Sequence, residues 1–221
     1  MFRKLAVAFA LVAAVAAVLP TASAQSRKDG VVIGMTLEPN GLDPTAGAAS
    51  AIAEVVQYNV FETLTRINSD GSVAPLLAES WTVSHDNRSY TFKLRRNVKF
   101  HNGEPFSSES VRYSFERAAA ANSTNKDKAV FAGIARIETP DADTVVLRLK
   151  EPNPDFLFQL GQATAIIVEP RSAATNATQP VGTGPYRIQN WAKGSSIVLA
   201  RWDGYRDPGK AKIARATFRF I

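Results

Sequence analysis

Apolar and polar residues alternate most strictly over residues 89–95, where Tyr90, Phe92 and Leu94 share one face and Thr91, Lys93 and Arg95 the other. A period of two marks a half-buried β-strand. Trp81-Thr82-Val83 precedes it across the turn His85-Asp86-Asn87-Arg88, and residues 64–67 form a short strand before the turn Asn68-Ser69-Asp70-Gly71. A second hairpin joins 134–137 to 145–149 across Pro140-Asp141-Ala142-Asp143. Further strands are predicted at 187–191, 196–201 and 216–221. The apolar runs 31–35 and 165–168 read as buried strands.

Helical spacing is rarer. Over 50–64, Ile52, Val55, Val56, Val60 and Phe61 predict one buried helical face. Ser107 can cap a helix reaching about residue 120, with Val111 and Phe115 inward and Glu109 near its positive end. A short helix is predicted at 155–160, and a surface loop at 173–179, where side chains are small and polar. Residues 38–44 hold two prolines and an Asn-Gly step, so they form a loop leaving the C-terminal end of the first strand. In open α/β sheets ligands tend to sit at that end.

The first residues read differently. Arg3 and Lys4 precede an apolar run over 5–19, Pro20 breaks it, and Ala22-Ser23-Ala24 offers the small side chains of a signal-peptidase site. The run is short for a hydrocarbon core of ~30 Å at ~1.5 Å per residue. It predicts a secretory signal cleaved after Ala24. The formal charge of +6 then falls to +4, because two of the basic residues lie in the signal. The remaining cations are scattered, which argues against nucleic acid as a partner. Cysteine is absent, which excludes disulfides, zinc–thiolate sites, a thiol nucleophile and the acyl anchor of a lipoprotein. A soluble periplasmic protein is the expectation.

Candidate chemistry is sparse. His85 and His101 lack metal-ligand spacing, and each is expected as a surface turn residue. Gly182-Thr183-Gly184 lacks both the dinucleotide fingerprint and the P-loop ending, and no nucleophile elbow occurs. Asp141 and Asp143 fall on a hairpin turn, and Trp81, Tyr90, Phe92 and Phe100 read as core rather than as a stacking platform. The expectation is a protein that is not an enzyme and has no metal site or cofactor.

Residues 90–106, Tyr-Thr-Phe-Lys-Leu-Arg-Arg-Asn-Val-Lys-Phe-His-Asn-Gly-Glu-Pro-Phe, resemble the signature of family 5 extracytoplasmic solute-binding proteins, with Trp81 ahead of them. That family serves dipeptide, oligopeptide and nickel importers. Asn102 stands where Asp is usual, and Ser110 departs likewise in the following helix. Leu42-Asp43-Pro44, Phe61-Glu62-Thr63-Leu64, the segment 75–81 and Gly182-Thr183-Gly184-Pro185-Tyr186 match further family motifs in order.

The resemblance implies an α/β fold: a periplasmic binding protein-like (type II) lobe carrying an inserted α+β domain, with the second lobe missing. Residues 26–47 start the lobe, 48–160 form the insertion and 161–221 return to the lobe. It also places two loops near the ligand cleft. Their residues, Glu38, Pro39, Asn40, Gly182, Thr183, Gly184 and Tyr186, are the candidate ligand contacts. The implied partners are a small solute, with peptides favoured, and the permease subunits of an ABC importer, met by a monomer. A nickel chelate, a sugar, a sensor or chaperone role, and a periplasmic hydrolase stay open as alternatives. The strand-like ending at 217–221, with no polar tail, reads as the N-terminal portion of a longer chain.

Overall fold

A computed structural model describes residues 29–221; the signal-like segment lies outside the described residues. In chain order the elements are β1 (Gly30–Met35), α1 (Ser50–Val56), β2 (Thr65–Ile67), β3 (Val73–Pro75), β4 (Ala78–Val83) and β5 (Ser89–Leu94). There follow α2 (Ser108–Ala119), α3 (Lys128–Ala132), β6 (Ile134–Asp141), β7 (Thr144–Leu149) and α4 (Phe156–Gln159). The last strands are β8 (Tyr186–Ala192), β9 (Ser196–Arg201) and β10 (Arg215–Phe220).

Two four-stranded sheets organise these elements. One runs β1-β10-β9-β8, with β1 and β10 parallel and the other pairs antiparallel. The other runs β4-β5-β7-β6 and is antiparallel throughout. The second sheet therefore lies, in sequence, between the first strand of the first sheet and its remaining three. β2 and β3 form a separate ribbon.

The alternation over 89–94 is borne out: Tyr90, Phe92 and Leu94 are buried and Lys93 is exposed. They share a core with Val111 and Phe115 of α2 and with Phe100. Ser107 caps α2, and its backbone N–H donates to Ser110 Oγ at 3.3 Å. A serine thus supplies the acceptor at the position where the signature usually has Asp. The other core joins Met35, Leu42, Ile52, Phe61, Leu199 and Phe218.

Four expectations need correction. The strand at 31–35 exists but is largely exposed, with Val32 at 67% and Ile33 at 39%. Among the described residues its one strand neighbour is β10, and β1 stands at the edge of that sheet. The helix over 50–64 stops at Val56, because Gln57 is extended and Tyr58 takes φ +59°. Val60 and Phe61 are still buried, but from a turn. Residues 166–168 are buried without being a strand and follow a 3₁₀ turn at Ala163–Ala165. Their side chains alternate between the two cores: Ile166 and Val168 enter one, Ala165 and Ile167 the other. Finally, the loop 173–179 is not wholly at the surface, since Ala173 and Asn176 are buried and Asn176 Oδ1 accepts the Val181 N–H.

Candidate functional site

Glu38 leaves the C-terminal end of β1 and reaches the turn between β8 and β9. Its Oε1 accepts the Trp191 indole N–H at 2.8 Å and its Oε2 the Gly194 N–H at 2.9 Å. Gly194 needs φ +74°, which glycine adopts freely. A β-bulge between Ile188 and Asn190 shifts the register of β8. Ile188 and Trp191 can then both face the core, while Arg187 and Asn190 turn to the other side. Of the neighbouring loop residues, Pro39 is buried and Asn40 exposed.

The second predicted loop is held quite differently. Gly182, Thr183 and Gly184 are buried against residues 59–62, with Gly184 N–H donating to Val60 O at 2.9 Å and Tyr186 N–H to Asn59 O at 2.9 Å. A Cβ on Gly182 would stand 2.0 Å from Val60 O, and one on Gly184 2.3 Å from Asn59 O. Both glycines therefore serve a close backbone approach within the chain. Tyr186 directs its hydroxyl to Ile213 O at 3.0 Å.

Thr183 donates to Glu62 Oε2 at 3.0 Å, and this carboxylate is the centre of a buried cluster. Arg206 grips it with two bonds of 2.5 and 2.8 Å, and Tyr205 adds its hydroxyl at 3.0 Å. Burial, reinforced by the Glu62 charge, pushes the Tyr205 hydroxyl pKa well up. Burial opposes the Arg206 cation, but Glu62 outweighs it and leaves that pKa above its ordinary value.

His101 is not the surface turn residue expected from sequence. Its Nε2–H donates to Gly184 O at 2.9 Å, its Nδ1 accepts the Gly182 N–H at 3.3 Å, and its own N–H donates to Gly182 O. Trp202 stacks edge-on at 4.8 Å between ring centroids. Burial lowers the imidazole pKa to about 4, so the ring is neutral at pH 7. The turn it belongs to closes between Phe100 and Phe106, with Gly103 at φ +90°. Asn102 donates to Glu169 Oε2 at 3.2 Å, a bond that an ionised aspartate could not make. His85, by contrast, is exposed in its turn.

Beside His101 a cavity of about 530 Å³ opens between Pro180, Val181 and the edge of β8, where Arg187, Trp191 and Lys193 line it. Both predicted loops border this region, Glu38 through Trp191 and the glycines through His101. A cavity of about 500 Å³ between α3 and α4 involves none of the predicted residues. Among the described residues no group of three or more His, Cys, Asp or Glu side chains could hold a metal ion, and no helix is long and apolar enough to cross a membrane. Sequence reasoning missed Trp191, Tyr205 and Arg206 because their partners lie far away along the chain.

Residues 72–221 match the family model described as bacterial extracellular solute-binding proteins, family 5 Middle. The glutathione-binding protein GsiB of Escherichia coli is 29% identical over 209 residues, which is 93% of this chain and 40% of that protein. The binding protein AgaA from Agrobacterium, solved with agropinic acid, is 30% identical with a TM-score of 0.81, over 87% of this chain and 40% of its own. DppA from Helicobacter pylori, solved with the peptide STSA, is 27% identical with a TM-score of 0.77, over 87% of this chain and 42% of its own. The chain thus spans about 40% of the length of these relatives.

Proposed function

The chain belongs to the bacterial extracellular solute-binding proteins, family 5, and on that premise we propose that it forms the part of a periplasmic binding protein that holds a small, peptide-like solute for an ABC importer. The observation that carries this reading is the cavity at the β8 edge, flanked by the Glu38–Trp191 bond and by His101 on the Gly182–Gly184 loop. Concave sites with an aromatic wall and a few convergent polar groups are the usual form of small-molecule pockets. GsiB and DppA, whose descriptions name glutathione and a peptide, favour a peptide-like solute over a sugar.

In this reading residues 26–47 and 161–221 belong to one lobe and 48–160 to an inserted domain. The packing of α1 and Phe61 with β9 and β10 favours carrying the lobe's core past residue 47 as far as Phe61. The protein is exported by a signal cleaved after Ala24, works as a monomer, and meets permease subunits rather than nucleic acid. Its role is binding, without a reaction or a cofactor.

The test is uptake of labelled trialanine by cells lacking the protein. Strongly reduced uptake, restored by the wild-type sequence, is expected; undiminished uptake would remove the peptide substrate.

A further inference from the structure

The α3–α4 cavity shares no lining residue with the β8-edge cavity. Its volume of about 500 Å³ falls within the usual range of small-molecule pockets. Val130 and Phe131 give it apolar surface continuous with the core. Phe158 adds a further wall: Phe156, on the same short helix, is fully buried, whereas Phe158 is 38% exposed. An aromatic ring so placed offers an apolar ligand surface to cover.

The polar groups of the lining are unevenly charged. Asp127 and Asp155 stand immediately before α3 and α4, yet neither side chain caps its helix. The hydroxyl of buried Thr164 donates to Asp127 Oδ2 at 2.6 Å, which fixes that carboxylate and leaves its other oxygen unengaged. Among the described residues neither aspartate has an ion-pair partner, unlike Asp43 or Asp143. Lys126 is the one cation on the lining, so the walls are net negative on a chain whose formal charge is +6. A concave site of that charge with an aromatic wall suits an ammonium joined to an apolar body.

We propose that the α3–α4 cavity is a second binding site, for a primary amine carrying an apolar body, in which Asp155 and the open oxygen of Asp127 take the ammonium while Val130 and Phe158 cover the body. The site is separate from the β8 edge, and the solute-binding reading does not depend on it. Free peptide acids suit it poorly, because their own carboxylate meets the two aspartates.

The test titrates the 221-residue chain at neutral pH with phenethylamine and, separately, with phenethyl alcohol, followed by backbone amide shifts. The amine is expected to bind at least about fivefold more tightly than the alcohol, with the largest shifts at Val130, Phe158 and Thr164 and none along β8. In Asp155→Asn that preference should fall, while unmoved Trp81, Trp191 and Trp202 indole signals show the fold intact. Phe158→Ala should weaken amine and alcohol alike. Equal affinity for amine and alcohol, an undiminished preference in Asp155→Asn, unchanged affinities in Phe158→Ala, shifts centred away from the cavity, or no shift at all would each overturn the site and leave the solute-binding reading standing.

Discussion

Glu62 and Arg206, 144 residues apart in sequence, form a two-pronged ion pair at 2.5 and 2.8 Å, with the carboxylate only 1% exposed. Thr183 and Tyr205 complete its shell. The pair ties the turn after α1 to the loop between β9 and β10, and through Thr183 to the glycine loop. Burying two charges is costly in itself, but breaking such a pair is costlier, because one charge is left without a partner.

Arg206→Met should therefore lower the unfolding free energy by about 3–5 kcal/mol. Adding Glu62→Gln to it should restore part of that loss, as a double-mutant cycle in urea would show. A cost below about 1 kcal/mol for Arg206→Met would mean that the cluster does not hold these loops together.

Gly182→Ala and Gly184→Ala force a Cβ against the carbonyls of Val60 and Asn59. Each should cost at least about 3 kcal/mol or prevent folding, since backbone cannot step aside as a flexible side chain does. Gly71→Ala meets open space and suffers only from its φ of +83°, worth about 1–2 kcal/mol. Thermal denaturation of the three variants compares them directly; similar melting temperatures would contradict the close approach.

The imidazole of His101 ionises at about 4 in the folded chain against an ordinary 6.5. Between those values the unfolded chain binds a proton that the folded chain does not, so stability falls as pH falls. The contribution is complete above pH 6.5, declines on acidification and is spent below about pH 4. Its size is on the order of 3 kcal/mol. His101→Gln should flatten this part of the stability profile, measured by urea unfolding from pH 7 to pH 4. An unchanged slope would show that the ring is not held neutral by its site.

Glu38→Ala removes the acceptor of both the Trp191 indole and the Gly194 amide. Because the site is exposed, global stability should change by less than about 1.5 kcal/mol. Local opening should rise instead, with about tenfold faster hydrogen exchange at Gly194, the loss of about 1.4 kcal/mol of local protection. Unaltered exchange there would mean that Glu38 does not fix the turn.

Much of the architecture was legible where one element faces a single core. β5 alternates because one face meets α2 and the other meets water, and the Ser107 cap announces α2. The pattern misled where that condition fails. Residues 165–168 alternate like a strand because successive side chains enter two different cores, not because a ladder is present. Val60 and Phe61 continue the helical spacing of α1, yet Tyr58, whose hydroxyl bonds Gly161 O, has already turned the chain. At the candidate site, Glu38 and the glycine loop could be picked out from their motifs. Trp191, Arg206 and the role of His101 could not, since each depends on a contact with a residue more than 80 positions away.

The most direct measurement is backbone amide shift mapping of the 221-residue chain during titration with trialanine at millimolar concentration. Solute binding at the β8 edge requires the largest shifts at Val181, Arg187 and Asn190–Lys193, with smaller ones at Glu38 and His101. Shifts centred instead on Lys126, Phe131 and Phe158 at the α3–α4 cavity, or no shifts anywhere, would contradict it.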